Sequence, residues 1–416
     1  MSGADDAFAP TADMMTAGQA RAALAAAVAP VPEREAVGLF EAAGRVLAAD
    51  VVSGRAVPPR DNSAVDGYAV FADDLDPAGA VELPVTGRVA AGALSERPGR
   101  RGEAVRIFTG APVPGGFDTI LPQENCRERP GGRVALPAAR RGSNLRRAGE
   151  DIGAGAVVLR AGTRLRPQEV GLAASIGLAR LEVYRRPRIA VFSTGDELRE
   201  PGGSADGAAI YDSNRAILAG LLGGLGCAVA DFGIVPDTLA AVRATLVRAA
   251  AGCDAVLTSG GVSTGDEDHV RAAVEAEGRL DFWRVAIRPG RPLAFGRVRG
   301  VPFLGLPGNP VAVMVTFLMI ARPLFLALAG AVPVPPRSFP VAAGFATRKR
   351  PGRREWLRAT IRRTPDGGAV AERFPREGSG ILTSMTASDG LIELPEALEH
   401  VAEGDLVEFV PFSELL

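Results

Sequence analysis

DAVLTSGGVSTGDEDHVRAAVEAEG, Asp254 to Gly278, decides how this chain folds. It opens on a short apolar run, Ala255-Val256-Leu257, of strand length. It passes through a glycine pair and a block of hydroxyls and carboxylates, and it closes on valines and alanines at helical spacing. Strand, glycine loop and helix in that order form one unit of an α/β fold. Similar units surround it. RIAVFSTG (188–195) is a buried strand running into a glycine loop, and DSNRAILAGLLGGLG (212–226) is a capped helix ending in glycine. VADFGIV (229–235) is a strand and DTLAAVRATLVRAAAG (237–252) a helix. Alternation of this kind predicts a central parallel sheet with helices on both faces, over residues 181–330.

Outside that zone the pattern changes. Residues 16–50 and 151–180 read as helical or linker sequence, including TAGQARAALAAAV, VGLFEAAGRVLAAD and RPQEVGLAASIGL. Residues 51–150 are rich in Pro and Gly with short Val/Ile runs, which predicts an irregular β domain. After the linker AVPVPPRS, residues 335–416 read as a C-terminal β domain of short strands. The fold class expected is therefore multidomain α/β plus β. With 416 residues, 47% hydrophobic, the chain exceeds a single ordinary core.

Composition removes several function classes. The formal net charge is −1, so no global field favours nucleic acid or an anionic membrane, and any anion site is local. Three cysteines, Cys126, Cys227 and Cys253, stand far apart without a C-x-x-C pair, and there are only 2 histidines. Disulfide scaffolds and zinc clusters are thereby disfavoured, and a reducing compartment is expected. The acidic start, MSGADDAFAPTADMM, lacks the basic n-region of a secretory signal. The most apolar segment, VAVMVTFLMIARPLFLALAG, is expected to break at Arg322-Pro323, short of the ~20 residues a membrane span needs. A cytoplasmic protein with a buried apolar helix is the expectation.

In such a sheet, ligands sit beyond the carboxyl ends of the strands. Three loops would meet there: Ser193 to Leu198 (STGDEL), Thr258 to Asp268 (TSGGVSTGDED) and Gly305 to Pro310 (GLPGNP). Their glycines, Gly195, Gly260, Gly261 and Gly308, let backbone amides approach a phosphate. None of the loops matches a Walker A or a dinucleotide fingerprint. Asp266, Glu267 and Asp268 suit Mg²⁺, which takes one or two carboxylates plus substrate phosphates, and equally suit the N-terminus of the following helix. Asp196 and Glu197 carry the same ambiguity. Arg284, Arg288 and Arg291 of FWRVAIRPGRP would supply guanidinium forks for a tetrahedral oxyanion.

Eight ordered motifs across residues 16–412 resemble the molybdopterin molybdenumtransferases, the MoeA-type enzymes related to the E domain of gephyrin. They are DNSAVDGYAV (61–70), RIFTGAPVPGGFDTILPQE (106–124), GSNLRRAGEDI (142–152), STGDEL, YDSN (211–214), TSGGVSTGDED, RVAIRPGRP (284–292) and GLPGNPVA (305–312). The resemblance implies a MogA/MoaB-like, molybdopterin-binding α/β domain inside an elongated homodimer. It implies a reaction in which adenylylated molybdopterin and molybdate give molybdenum cofactor and AMP, with Mg²⁺. It also implies a molybdopterin adenylyltransferase as substrate donor and delivery to molybdoenzymes. Nucleotidyl transfer, or a non-catalytic gephyrin-like scaffold, are the competing readings.

By the same resemblance, Asp61, Asp66, Thr109 and Asp151 face the partner subunit's site. Glu197, Asp237 and Asp268 act in the α/β domain, with Asp266 and Asp268 as metal candidates. The resemblance adds Ser263 and the basic residues at 284 and 288, while the loops and the arginine turn themselves give Ser193, Gly195, Gly260, Gly261, Pro307, Gly308 and Asn309 as substrate-lining, with Arg284, Arg288 and Arg291. Arg353 or Arg358, and Ser384, come from the last domain. Three positions depart from the family: arginine at 284, 288 and 291 where lysine is usual, Ala312 where many relatives have serine, and ASDG (387–390) in place of the usual Asn-Gly ending.

Overall fold

The computed structural model describes residues 14–262 and 269–416, so Ser263, Asp266, Glu267 and Asp268 lie outside the described residues. The central sheet has six strands in the order Ala228–Val235, Arg188–Thr194, Ala255–Ser259, Val301–Leu306, Pro292–Val298, Gly278–Arg284. The first four run parallel. The last two are added antiparallel, so the sheet is mixed rather than wholly parallel. That edge follows from the short turn Arg299-Gly300, which is too short for a crossover and can only join neighbouring antiparallel strands.

Both faces of the sheet are covered. Helices Leu239–Gly252 and His269–Glu277 pack on one side, against Phe192, Val256 and Phe303. On the other side lie Asn214–Gly224, Ala17–Ala26 and the apolar helix beginning at Pro310, in one cluster with Val191, Leu257 and Leu304. Contrary to the sequence expectation, the chain does not leave the helix at Arg322-Pro323. It continues from Pro310 to Leu328, a 19-residue span long and apolar enough to cross a membrane by length and composition, with 83% of its 18-residue window buried in the protein. A π turn at Phe317–Ala321 precedes Pro323, which sits in the first turn of the final segment. A wider turn of this kind absorbs the missing proline N–H.

The N-terminal reading also needs correction. Ala17–Ala26 is helical, with Thr16 and Gln19 forming a reciprocal capping box. VGLFEAAGRVLAAD is not a helix. Arg34–Gly38 is a strand paired antiparallel with Arg180–Tyr184, and only Leu39–Ala42 makes a helical turn before Gly44 reverses the chain at φ +78. Long-range pairing here overrides local propensity. Of residues 151–180, only Pro167–Ser175 is α-helical.

The irregular β domain is built on a six-stranded sheet between Gly67 and Leu136. Beyond the apolar helix, strands Phe339–Ala343, Arg354–Arg363, Ala369–Arg373, Gly390–Leu394 and Leu406–Pro411 pair into a closed ring, a small barrel filled by Leu357, Ile392 and Phe409. A two-residue strand, Ile287-Arg288, joins the barrel in parallel, with Arg288 beside Glu355. Trp356, on the outer face of the same barrel strand, belongs to the core of the α/β unit. The barrel is thus fixed against the loops of the sheet.

The apolar helix is a structural element of the core, since Phe317 and Phe325 stack at 5.3 Å between ring centroids and are almost wholly buried. Phe325→Ala is expected to destabilise the α/β unit by about 3–5 kcal/mol in urea unfolding. A change under about 1 kcal/mol would place the helix outside the cooperative core.

Candidate active site

The three loops do converge. The strand Arg188–Thr194 delivers Gly195 and Glu197, the strand Ala255–Ser259 delivers Gly260 and Gly261, and the strand Val301–Leu306 delivers Pro307, Gly308 and Asn309. All of these line one cavity of about 980 Å³. Asp237, from the loop after the strand Ala228–Val235, lines it too. Across the gap stand Arg288 and Arg291, with Arg353 and Arg358 from the barrel.

One buried side chain holds the loops together. Asn214, 8% exposed, donates through Nδ2 to Ser259 Oγ at 2.8 Å and to the Gly308 carbonyl at 2.7 Å. Ser259 Oγ in turn donates to the Pro307 carbonyl at 3.2 Å. The amide orientation is fixed by chemistry, because the Gly308 carbonyl can only accept. Asn214 is itself held by Asp212, whose Oδ1 accepts the Asn214 N–H at 3.0 Å and whose Oδ2 accepts from Arg215 Nε at 2.7 Å. YDSN is therefore a clamp on the second and third loops, a role the sequence motif suggested only by its presence.

Close backbone approach explains the glycines. Gly260 has φ +86, and a Cβ there would fall 2.5 Å from the Thr194 carbonyl oxygen. Its own N–H is already given to the Leu306 carbonyl, so Gly260 serves the loop's shape rather than offering a free amide. Gly290, in the Arg-Pro-Gly-Arg turn, has φ +94, and a Cβ there would fall 1.9 Å from Thr316 Oγ1. This seats the turn bearing Arg288 and Arg291 against the apolar helix.

Carboxylates and guanidiniums share the cavity wall. Asp237 Oδ1 accepts from Thr194 Oγ1 at 3.2 Å, and the Glu197 carboxylate lies over Gly195, where a Cβ would meet Glu197 Oε2 at 2.7 Å. Burial draws the Arg291 pKa down, and the nearby Arg284 and Arg353 guanidiniums lower it further. Arg358 is 5% exposed and also lowered, chiefly by burial. It donates to Ser384 Oγ at 3.0 Å and to the Arg376 carbonyl at 3.1 Å.

The remaining sequence candidates fall elsewhere. Ser193 is buried in its strand, and Ser384 is wholly buried beneath Arg358. Neither lines the cavity, nor does Arg284 at the sheet edge. Asp61, Asp66, Thr109 and Asp151 are on or beside the irregular β domain and are also absent from the cavity wall. There Asp66 Oδ1 accepts the Thr109 N–H at 2.8 Å and the Thr109 hydroxyl at 2.7 Å, which holds the Asp66 pKa below its ordinary value. Asp61 pairs with Arg147 at 3.0 Å and accepts the Ala148 N–H. Two residues that sequence reading missed are Glu355 and Glu377, both on the cavity wall and both bonded to its arginines.

Comparisons with known proteins agree with this layout. Residues 15–177 match the MoeA N-terminal region (domain I and II), residues 190–327 the probable molybdopterin binding domain, and residues 340–412 the MoeA C-terminal region (domain IV). The chain is 36% identical over 405 residues to the molybdopterin molybdenumtransferase of Haemophilus influenzae, covering 97% of this chain and 100% of that one. This chain belongs to the MoeA family. It is also 38% identical over 378 residues to molybdopterin molybdenumtransferase 2 of Mycobacterium tuberculosis, with 88% of this chain and 92% of that one covered. Its fold matches the crystal structure of the molybdopterin biosynthesis moeA protein from Pyrococcus horikoshii OT3, with TM-score 0.82 and 29% identity over 96% of this chain and 100% of that one.

Asn214→Ala would leave the Gly308 carbonyl without its donor and remove one of the bonds that tie the second loop to the third. It is expected to cost about 1–3 kcal/mol in unfolding free energy. Cleavage at Gly308 by limited proteolysis should rise in the same protein. Wild-type stability and protection would remove Asn214 from the clamp.

Proposed function

We propose that this MoeA-family enzyme takes adenylylated molybdopterin and molybdate as substrates and releases AMP with the finished molybdenum cofactor. The observation that carries this reading is the cavity itself, whose wall combines glycine loops and carboxylates from the sheet's loop end with arginines from the Arg-Pro-Gly-Arg turn and the barrel. A pyrophosphate-linked substrate suits the first set, and a tetrahedral dianion suits guanidinium forks. Arginine at 288 and 291 keeps charge in place under conditions where a lysine could lose its proton, so these groups bind and orient the oxyanion and do not carry protons.

Mg²⁺ fits the donor set on this wall. Glu197 and Asp237 are hard oxygen donors facing the cavity, and Mg²⁺ needs only one or two carboxylates when substrate phosphates complete its shell. Asp266 and Asp268, from the sequence reading, would join them. When bound, the ion supplies positive charge against the phosphate oxygens.

The proposed working unit is a homodimer in which Asp61, Asp66, Thr109 and Asp151 reach the partner's cavity. Two features support it: these carboxylates lie off the cavity of their own chain, and Phe40 stands fully exposed on the turn Leu39–Ala42. A cytoplasmic location, supply by a molybdopterin adenylyltransferase and hand-over to molybdoenzymes complete the proposal.

The decisive assay follows AMP release from adenylylated molybdopterin with and without molybdate. Molybdate-dependent AMP release is expected. ATP consumption with pyrophosphate release on molybdopterin, in place of molybdate-dependent AMP release, would favour nucleotidyl transfer, and no turnover of either substrate would favour a scaffold. Arg288→Ala is expected to raise the molybdate concentration needed for half-maximal rate by roughly tenfold or more, as loss of a charged hydrogen-bonding partner does. Mixed dimers of inactive Asp66→Asn and Asp237→Asn subunits should recover part of the activity, because one of their two sites keeps both aspartates. Inactivity in verified mixed dimers would contradict a shared site.

A further inference from the structure

The arginines of the cavity already have anionic partners, and the two partners differ in kind. Arg288 donates through Nη1 to Glu355 Oε2 at 3.3 Å and through Nη2 to Glu377 Oε2 at 3.0 Å. Arg353 Nε donates to Glu355 Oε1 at 2.7 Å. The Glu355 side chain is 2% exposed and is shared between two guanidiniums, so withdrawing it would strand a buried charge. Glu377 is 47% exposed and sits on the irregular segment after the strand Ala369–Arg373. It also has a second cation, since its Oε1 accepts from Arg373 Nη1 at 2.9 Å.

The backbone on either side of Glu377 is fixed. Arg358 Nη2 donates to the carbonyls of Arg376 and Gly378, at 3.1 and 3.5 Å. A side-chain rotation can therefore take the Glu377 carboxylate off Arg288 and leave it on Arg373, with no movement of the chain. Glu355 also has a second cation in Arg353, but at 2% exposure it cannot swing out to solvent as the half-exposed Glu377 can. An oxyanion arriving at Arg288 displaces Glu377 and leaves Glu355 where it is.

We propose that Glu377 is a specificity-determining residue, an internal anion that competes with the incoming oxyanion for Arg288 and so sets the concentration at which the site fills. Glu355 is the positioning residue that keeps Arg288 and Arg353 aimed at the same space. This rests on the oxyanion reading given under Proposed function. Arg373 modulates the competition by holding Glu377 in its withdrawn position.

The test is isothermal titration of sodium molybdate into the full-length protein without pterin substrate, with thermal unfolding as a check on folding. Glu377→Gln is expected to tighten molybdate binding by roughly two- to fivefold, the range for releasing a half-exposed ion pair. Arg373→Ala should weaken it by a similar factor, and only while Glu377 is present. Arg288→Ala should weaken binding by roughly tenfold or more, and adding Glu377→Gln to it should bring no further gain. An unchanged or weaker Glu377→Gln, or an equal gain in the Arg288→Ala background, would overturn the competition. If Arg288→Ala alone leaves molybdate binding unaltered, the oxyanion reading itself fails, and the competition fails with it.

Discussion

A buried amide carries the geometry of this site. Asn214 joins Ser259 at the end of one strand to Gly308 at the end of the next, and Ser259 extends the tie to Pro307. Parallel strands set their carboxyl ends side by side, but loops leaving those ends are free to splay unless something bonds across them. A carboxamide can donate twice from one nitrogen, which lets a single side chain restrain two loops. The Asp212 and Arg215 pair beneath it, with both side chains nearly buried, keeps the amide from turning away. Removing this tie would free the Gly308 end of the third loop and leave only the Ser259–Pro307 and Gly260–Leu306 bonds to hold the two loops in register.

The second constraint is the stitch between sheet and barrel. Ile287-Arg288 pairs in parallel with Arg354-Glu355, and Trp356 enters the core of the α/β unit from the barrel side. These contacts bring the Arg288 guanidinium to within bonding distance of the barrel carboxylate Glu355. A cavity with several arginines and no counter-charge would repel itself, and burial already pulls Arg291 and Arg358 below their ordinary pKa. Glu355 offsets that repulsion permanently and Glu377 does so reversibly. The site is thus stable when empty and still open to a stronger anion.

Much of this was legible in the sequence. The apolar runs at 189–192 and 255–257, each followed by a glycine loop, identified the sheet and the side on which ligands would meet. Motifs at strand ends mark Glu197, Gly261 and Asn309, three arginines around a Pro-Gly turn mark Arg288, and Asp237 comes only from the family resemblance; all five line one cavity. The misreadings have physical causes. Ala- and Leu-rich VGLFEAAGRVLAAD carries helical propensity, but pairing of Arg34–Gly38 with Arg180–Tyr184, about 145 residues away, decides its conformation. Proline at 323 signals a break, and a π turn removes the need for one. Glu355 and Glu377 gave no local signal, because their partner at 288 lies in another domain of the fold. Strand periodicity could have marked Glu355, since a charged residue between Arg353 and Leu357 at the mouth of a closed barrel needs a cation nearby.

The most direct test of the account is where molybdenum binds. Crystals of the full-length protein soaked in molybdate, with diffraction recorded across the molybdenum absorption edge, would locate the metal without any assumption about chemistry. The account predicts an anomalous peak in the cavity within hydrogen-bonding reach of the Arg288 and Arg353 guanidiniums, with the Glu377 carboxylate turned toward Arg373. A peak confined to the surface arginines of the β domain, with Arg288 still bonded to Glu377, would contradict it.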